Sequence, residues 1–308
     1  MNILMIVAQY YPITGGLEKQ AKLLSENLAS KANISVLTGN LGGRYTKKEK
    51  INNVNIYRYF ARRIPIPFLS HYMKNSIGHW IGIVIFLIRN RKKFDILHIH
   101  QMQDISFIIC LMSKFLKIPL IVKVANSGER FDPLFFIEHS KLPKKYVLKT
   151  MINNINYVIS INKEISKNLL EIGFKENQIL SIPNGVKIDV KTNGSNSIKK
   201  YLNIKKNDHL ISFVGTLTKK KNVGKLLNAF SLIDFENLNA SLLVVGDGPE
   251  RENLSQLSKD LCIDKKTHFL GYIENVNDVL YETDIFILPS LQEGLPNVIL
   301  EAGAIGIS

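Results

Sequence analysis

A chain of 308 residues, 45% of them hydrophobic and 21% charged, has the composition of a folded globular protein, which excludes an intrinsically disordered one, and is longer than one core usually serves. The two isolated cysteines, Cys110 and Cys262, exclude a disulfide framework or a Cys-rich zinc site and fit a reducing compartment. A formal net charge of +14 suits a polyanionic partner (nucleic acid, an anionic membrane surface or a phosphorylated substrate), but it suits a solvated Lys- and Asn-rich surface equally.

The opening MNILMIVAQYYP lacks the basic start and cleavage site of a signal peptide, and its short apolar run, Asn2 to Ala8, predicts a buried first strand. A Gly15-Gly16 turn follows. Leu17, Ala21, Leu24 and Leu28 then recur at helical spacing, and Ile34 to Thr38 predicts the next strand. The apolar stretch Trp80 to Ile88 is roughly half of what crosses a bilayer, so a cytoplasmic protein is expected, one that can rest on the inner face of a membrane. Ile96 to Ile99, Leu120 to Val124 and Tyr157 to Ile161 are further strand candidates, with a helix at Ile105 to Leu116.

Residues 187–209 hold few large apolar residues and several Asn, Gly, Ser and Lys, the composition of a linker. Beyond them Leu210 to Val214, Ser241 to Val245, His268 to Leu270 and Ile285 to Leu288 read as strands, with helices at Val223 to Leu232 and Glu250 to Asp260. Short apolar runs alternating with helical patterns are the mark of a parallel sheet wound with helices. The expected fold class is therefore α/β: two Rossmann-like domains, 1–186 and 210–308, facing a cleft in which ligands sit at the strand C-termini. The chain stops at Gly303-Ala-Ile-Gly-Ile-Ser308, so the second domain is expected to be incomplete.

The segment from Leu288 to Ala302, LPSLQEGLPNVILEA, carries the most chemistry. Glu293 lies just past a predicted strand. Gly294, Leu295, Pro296 and Asn297 then make a tight turn leading into a helix, with Pro296 well placed near its first position. Amides at a helix N-terminus bind phosphate, and Glu301, about one turn on, is placed to accept hydrogen bonds from vicinal hydroxyls. Phosphate on amides with carboxylates for ribose and sugar hydroxyls is what a nucleotide-sugar requires. Taken alone, two glutamates at this spacing are as readily surface residues of a helix.

EGLPNVILEA resembles the Glu-x7-Glu signature of the family 4 glycosyltransferases, whose two-domain fold is GT-B. Further matches follow in order along nearly the whole chain: Gly15-Gly-Leu-Glu18, Asp95-Ile-Leu-His-Ile-His100, Ile182-Pro-Asn-Gly-Val186, Phe213-Val-Gly-Thr-Leu217 with Lys221, Val244-Val-Gly-Asp-Gly-Pro249, Phe269-Leu-Gly271 and Thr283-Asp-Ile-Phe-Ile-Leu-Pro289. The resemblance implies that Lys221 contacts the donor diphosphate, that Glu293 is the catalytic glutamate near the transferred sugar, and that Glu301 holds the nucleotide ribose. It implies that the backbone of Gly294, Leu295, Pro296 and Asn297 meets the diphosphate and sugar. Gly15 and Gly16 match a glycine loop that approaches the donor phosphates or the acceptor. Thr216 stands where relatives often carry Arg, and Ala125 where many carry a sugar-positioning His, which leaves Asn126, Ser127 and Gly128 to supply such contacts.

His98 and His100 share one face of their strand, but no Cys or carboxylate cluster completes a metal site, so a structural or acceptor-lining role is expected. There is no Asp-x-Asp motif, and neither a metal nor another cofactor is expected; lysines and helix amides would neutralise the leaving group. Residues 58–93 mix Arg58, Arg62, Arg63, Lys74, Arg89, Arg91, Lys92 and Lys93 with aromatics, and Lys141, Lys144, Lys145 and Lys149 add a second basic cluster. Such a surface suits anionic headgroups or a lipid-diphosphate acceptor, whereas nucleic acid is not expected because no recognised motif supports it.

The sequence thus predicts a retaining glycosyltransferase that moves a sugar from a nucleoside-diphosphate-sugar to a hydroxyl of a glycan or lipid-linked acceptor, in cell-surface polysaccharide assembly. The alternatives are a nucleotide-sugar epimerase of the same fold and a non-catalytic basic binding protein on that scaffold.

Overall fold

Leu4, Met5 and Ile6 of the first strand, β1 (Asn2–Ile6), are fully buried, the pattern of a strand covered on both faces. The structure is a computed structural model that describes residues 1–13, 15–41, 43–61, 71–103, 105–128, 131–140, 143–187, 197–205 and 207–307. It divides into two compact units, Met1–Asn184 and Gly185–Ser308.

In the first unit, α1 (Gly16–Leu28) leads to β2 (Asn33–Leu41), followed by β3 (Lys48–Ile51), β4 (Val54–Ala61), α2 (His71–Arg89), β5 (Ile96–Ile99), α3 (Ile105–Leu116) and β6 (Leu120–Val124). Then come α4 (Asp132–Ser140), α5 (Lys144–Asn154), β7 (Tyr157–Ser160), α6 (Lys163–Glu171) and β8 (Ile179–Ser181). The sheet runs β3-β4-β2-β1-β5-β6-β7-β8, parallel except for β3, which pairs antiparallel with β4. That hairpin was not predicted, although its turn is written in the sequence: Asn52 and Asn53 both take positive φ, 45° and 65°, between the paired Ile51 and Val54. Two residues in that conformation make the tight turn whose twist matches a hairpin, and Asn tolerates it best after Gly.

The second unit holds α7 (Ser197–Tyr201), β9 (His209–Val214), α8 (Val223–Phe230), β10 (Ala240–Val245), α9 (Arg251–Asp260), β11 (Thr267–Gly271), α10 (Asn277–Leu280), β12 (Ile285–Phe286) and α11 (Asn297–Ala304). Its all-parallel sheet runs β11-β10-β9-β12. Alternate residues of the central strands enter two cores. Ile211, Phe213, Leu242 and Val244 pack with Leu227 and Phe230 of α8, and Leu210, Val214, Leu243 and Val245 with Val279, Leu280 and Ala302.

Two sequence expectations need correction. The stretch 187–209 is not linker throughout: Ile198, Leu202 and Ile204 pack on the second unit's core, and the Ile198 and Lys199 amides donate to Glu282 at 3.1 and 2.9 Å. Nor is Arg58 a surface cation. It is 6% exposed, pairs with Glu49, donates to the carbonyls of Tyr11 (2.8 Å) and Thr46 (3.2 Å), and lies over the Tyr45 ring. The hydroxyl of buried Tyr59 shares a hydrogen bond with His79 Nδ1 at 2.8 Å, and the Tyr57 and Phe86 rings meet at 5.2 Å, so these aromatics knit β4 to α2 and do not face outward together. Arg62, Arg63, Phe68 and Lys141 lie outside the described residues, as do the side chains of Tyr72 and Lys74.

Where β10 ends, Gly246 has φ +126° and sits against the Gly215 carbonyl, with its own amide bonded to Gly271 O at 2.7 Å. A Cβ there would overlap that carbonyl in a backbone conformation an L side chain rarely adopts. Gly246→Ala is therefore expected to destabilise the second unit by roughly 2–4 kcal/mol, read as a lower urea midpoint. An unchanged midpoint would show that the two loops do not meet this closely.

Candidate functional site

In the second unit the strand C-termini gather the segments read as chemically active. After β9 the chain passes exposed Thr216 and makes one tight turn over Lys219–Lys221, and Asn222, with φ 55°, then turns it into α8. This turn is stitched to the segment after β12: Leu291 N donates to Lys220 O at 3.0 Å and Asn222 Nδ2 to Pro289 O at 3.2 Å. The third tie joins side chains. Lys221 Nζ donates to Glu293 Oε1 at 2.6 Å, with the two side chains 21% and 23% exposed. The structure thus brings two predicted site residues into direct contact, and of three consecutive lysines it selects Lys221 for the pair.

Gly294 and Leu295 follow in the turn expected of them. Pro296 stands near the first helical position, as expected, and is the N-cap (φ −69°, ψ 124°); Asn297 opens α11. Partly buried Glu301 lies on α11 one turn after Asn297. A cation and a carboxylate held beside a helix N-terminus can receive a ligand that is anionic at one end and bears hydroxyls at the other.

In the first unit Gly15 is the N-cap of α1 and Gly16 its first residue. A Cβ on Gly15 would meet the Glu18 carboxylate, so that carboxylate already occupies the helix start. Burial raises the Glu18 pKa, with a bond to its own backbone amide offsetting part of the rise. An anion approaching this loop has to displace or protonate Glu18.

The residues expected near the acceptor are enclosed. His100 has no exposed surface and Ser127 is 2% exposed, so His100 is a buried residue here and not one that lines an open surface. Asn126 is committed to Asp132: its backbone N–H (3.2 Å) and Nδ2 (2.7 Å) both donate to that carboxylate, as do Ala125 N (2.8 Å) and Gln101 Nε2 (3.3 Å). Burial nonetheless raises the Asp132 pKa.

Sequence reasoning missed Lys123. The strand register pairs Ile99 with Val122, which sets His100 beside Lys123. Lys123 is 6% exposed, donates to Asn184 Oδ1 at 2.6 Å, and has no carboxylate partner among the described residues. Burial lowers its pKa to about 8. The same burial, with the Lys123 charge, holds His98 down to about 4 and His100 well below its usual value. The two rings lie 5.8 Å apart, and His98 Nε2 and both His100 nitrogens lack hydrogen-bond partners among the described residues. No third metal-ligating side chain joins them among the described residues. A lysine interrupting the apolar run LIVKV was the signal that could have found this cluster.

Comparison with known proteins places both units. The profile described as Glycosyltransferase Family 4 matches residues 14–190, and that of the glycosyl transferases group 1 matches residues 195–308. An uncharacterized glycosyltransferase of Methanocaldococcus jannaschii is 26% identical over 324 residues, covering 99% of this chain and 79% of the relative. The UDP-Gal:alpha-D-GlcNAc-diphosphoundecaprenol alpha-1,3-galactosyltransferase of Escherichia coli is 26% identical over 232 residues, covering 73% of this chain and 59% of the relative. The chain spans 55%, 59% and 57% of the length of three curated relatives. The crystal structure of Anabaena HepE in complex with UDP and glucose matches with a TM-score of 0.76 at 18% identity, over 100% of this chain and 79% of that one. The fold is the GT-B type of two Rossmann-like units, as the sequence predicts.

Proposed function

We propose, on the premise that the chain belongs to glycosyltransferase family 4, that it transfers a sugar with retention of anomeric configuration from a nucleoside-diphosphate-sugar to a hydroxyl of a lipid-linked or glycan acceptor. The observation that carries this reading is the 2.6 Å contact of Lys221 with Glu293 beside the start of α11. Lys221 and the α11 amides take the donor diphosphate, Glu301 accepts from ribose hydroxyls, and Glu293 faces the transferred sugar. The relative named as a galactosyltransferase acting on alpha-D-GlcNAc-diphosphoundecaprenol supports a lipid-linked acceptor, and we assign the transfer to surface polysaccharide assembly on the cytoplasmic side of a membrane. HepE, whose complex holds UDP and glucose, supports a nucleotide-sugar donor.

No protein nucleophile is needed. The bond from the anomeric carbon to the diphosphate breaks, the acceptor oxygen bonds that carbon on the same face, and its proton passes to a diphosphate oxygen. The protein contributes position and a cation where negative charge develops.

A mass-spectrometric screen of nucleotide-sugars retained by the purified protein tests the reading. Saturable retention of one donor is expected, and Glu301→Ala is expected to weaken it about 10- to 100-fold by removing a charge-assisted hydrogen-bond acceptor. A folded sample that retains no nucleotide-sugar would sink the proposal. Release of free nucleotide without any acceptor would favour the epimerase alternative.

A further inference from the structure

Three polar side chains of the first unit are enclosed without the partners that burial demands. His98, in β5, pairs in register with Met5 of β1, and His100 points to the same face two residues on. Leu17, Ala21 and Leu24 of α1 pack with Met5 there, so an apolar cover lies over this face. Lys123 stands beside His100 on β6. His98 Nε2 and both His100 nitrogens have no partner among the described residues, and Lys123 spends one of its three N–H groups on Asn184. The charges that act on the imidazoles are Lys123 and, for His100, His98; no carboxylate among the described residues joins them. Asp132 is engaged instead by Ala125, Asn126 and Gln101.

Buried polar groups are almost always bonded, so a cluster left open in this way calls for a partner from outside. Its position suits one. His100 follows the end of β5, Lys123 lies one residue before the end of β6, and partly exposed Asn184 lies three residues beyond β8. These strands run parallel, and ligands of open parallel sheets bind at that C-terminal edge. Charge narrows the choice. A metal cation would meet the Lys123 ammonium and finds no third ligating side chain among the described residues. A neutral ligand could bond the imidazoles but would leave the ammonium uncompensated in an apolar setting. An anion answers both needs. The two rings are 5.8 Å apart at different depths along β5, and a tetrahedral phosphate reaches such staggered donors where a planar carboxylate does not.

We propose that His98, His100 and Lys123 form an anion site inside the first unit, at the C-terminal edge of its sheet, that takes a phosphate group. The two remaining N–H groups of Lys123 and one from each imidazole donate to the phosphate oxygens. The second nitrogen of His100, an acceptor in the neutral ring, is left for a hydroxyl of a molecule that carries the phosphate. The costly burial of a lysine and two histidines then has a purpose that leucines at these positions would not serve. This site belongs to the other unit from Lys221 and α11, and it is measured without sugar transfer, so either reading can fail alone.

The test reads the first unit through Trp80 fluorescence, as the urea midpoint of the full chain in sodium phosphate against sodium chloride of equal ionic strength. Phosphate also stabilises proteins non-specifically, so Lys123→Met is the reference. That variant is expected to fold, and without phosphate to exceed the wild-type midpoint, yet to show only the non-specific increment. Calorimetric titration with inorganic phosphate, run with UDP present to occupy the proposed donor site, should give it a Kd at least about tenfold weaker than wild type. His100→Phe should weaken binding about 3- to 10-fold; should it misfold, Lys123→Met alone decides. Glucose 1-phosphate binding about tenfold tighter than inorganic phosphate would assign the site to a carried phosphate, and equal or weaker binding to the free ion. Equal phosphate increments in wild type and Lys123→Met, or binding that disappears when UDP is present, overturn the proposal.

Discussion

Lys221→Met is expected to lower kcat/KM for sugar transfer by about 10²- to 10³-fold, the usual cost of removing one charge aimed at the developing anion of a leaving group. The expectation rests on geometry. Of Lys219, Lys220 and Lys221, only Lys221 places its ammonium on Glu293, at 2.6 Å, while the backbone of Lys220 anchors Leu291. On the proposed reading the side chain has two tasks: to meet the diphosphate and to hold the glutamate beside the sugar. A double-mutant cycle with Glu293→Gln separates them. If Lys221 also orients Glu293, the double variant should lose much less than the product of the single losses. If the losses multiply, the ion pair has no part in the chemistry. Lys219→Met, at an exposed position, should cost less than about tenfold; an equal loss would mean that the lysines act as a diffuse field and not as one placed cation.

That pairing shows where sequence reading stops. Lys221 and Glu293 were both read as candidate site residues, each from its own local motif, yet they are 72 positions apart and nothing local says that they touch. Strands were legible for a related reason. Ile96–Ile99, Leu120–Val124 and His209–Val214 lie inside parallel sheets, where burial on both faces makes a mostly apolar run, broken in these strands only by single polar residues such as His98, Lys123 and Ser212. The hairpin of β3 and β4 was missed because it lies at a sheet edge, with alternating exposure along β3 and a turn of Asn where Gly is the familiar sign.

Cations were misread in both directions. Arg58 looked like surface charge because Arg usually is, but Glu49 and two carbonyls bring it inside. Lys123 was passed over because a strand with one lysine still reads as a strand. Helix periodicity at Trp80 to Ile88 likewise suggests burial without saying that the helix has apolar residues on two sides, one more than its own core can cover. In each case the deciding quantity is what the rest of the chain places opposite the residue.

The His98–His100–Lys123 cluster leads to the other large effect, on stability as a function of pH. Unfolded, an imidazole takes its proton near pH 6.5; in the folded protein His98 refuses it until about pH 4 because of burial and the Lys123 charge. Between those values the unfolded chain binds more protons, so stability is whole above about pH 6.5 and falls as the solution is acidified. His98 alone should account for on the order of 3 kcal/mol by pH 4, with His100 acting in the same sense. Asp132 and Glu18, whose pKa values are raised, act in the opposite sense, so a variant is needed to isolate the imidazoles. In His98→Leu the acid-side slope should flatten. Lys123 works the same way one step higher: its folded pKa of about 8 against an unfolded 10.5 means that stability rises again between those values. A buried ammonium whose one hydrogen bond among the described residues is to Asn184 is a cost at neutral pH, so Lys123→Met should stabilise the first unit by about 1–3 kcal/mol at pH 7 and abolish the alkaline rise. Trp80 is the chain's one tryptophan and lies in this unit, so urea midpoints read from its fluorescence across pH report on the right half of the molecule. A Lys123→Met protein less stable than wild type at pH 7, with the alkaline rise intact, would mean that the ammonium is compensated by an anion and is not an unpaired charge.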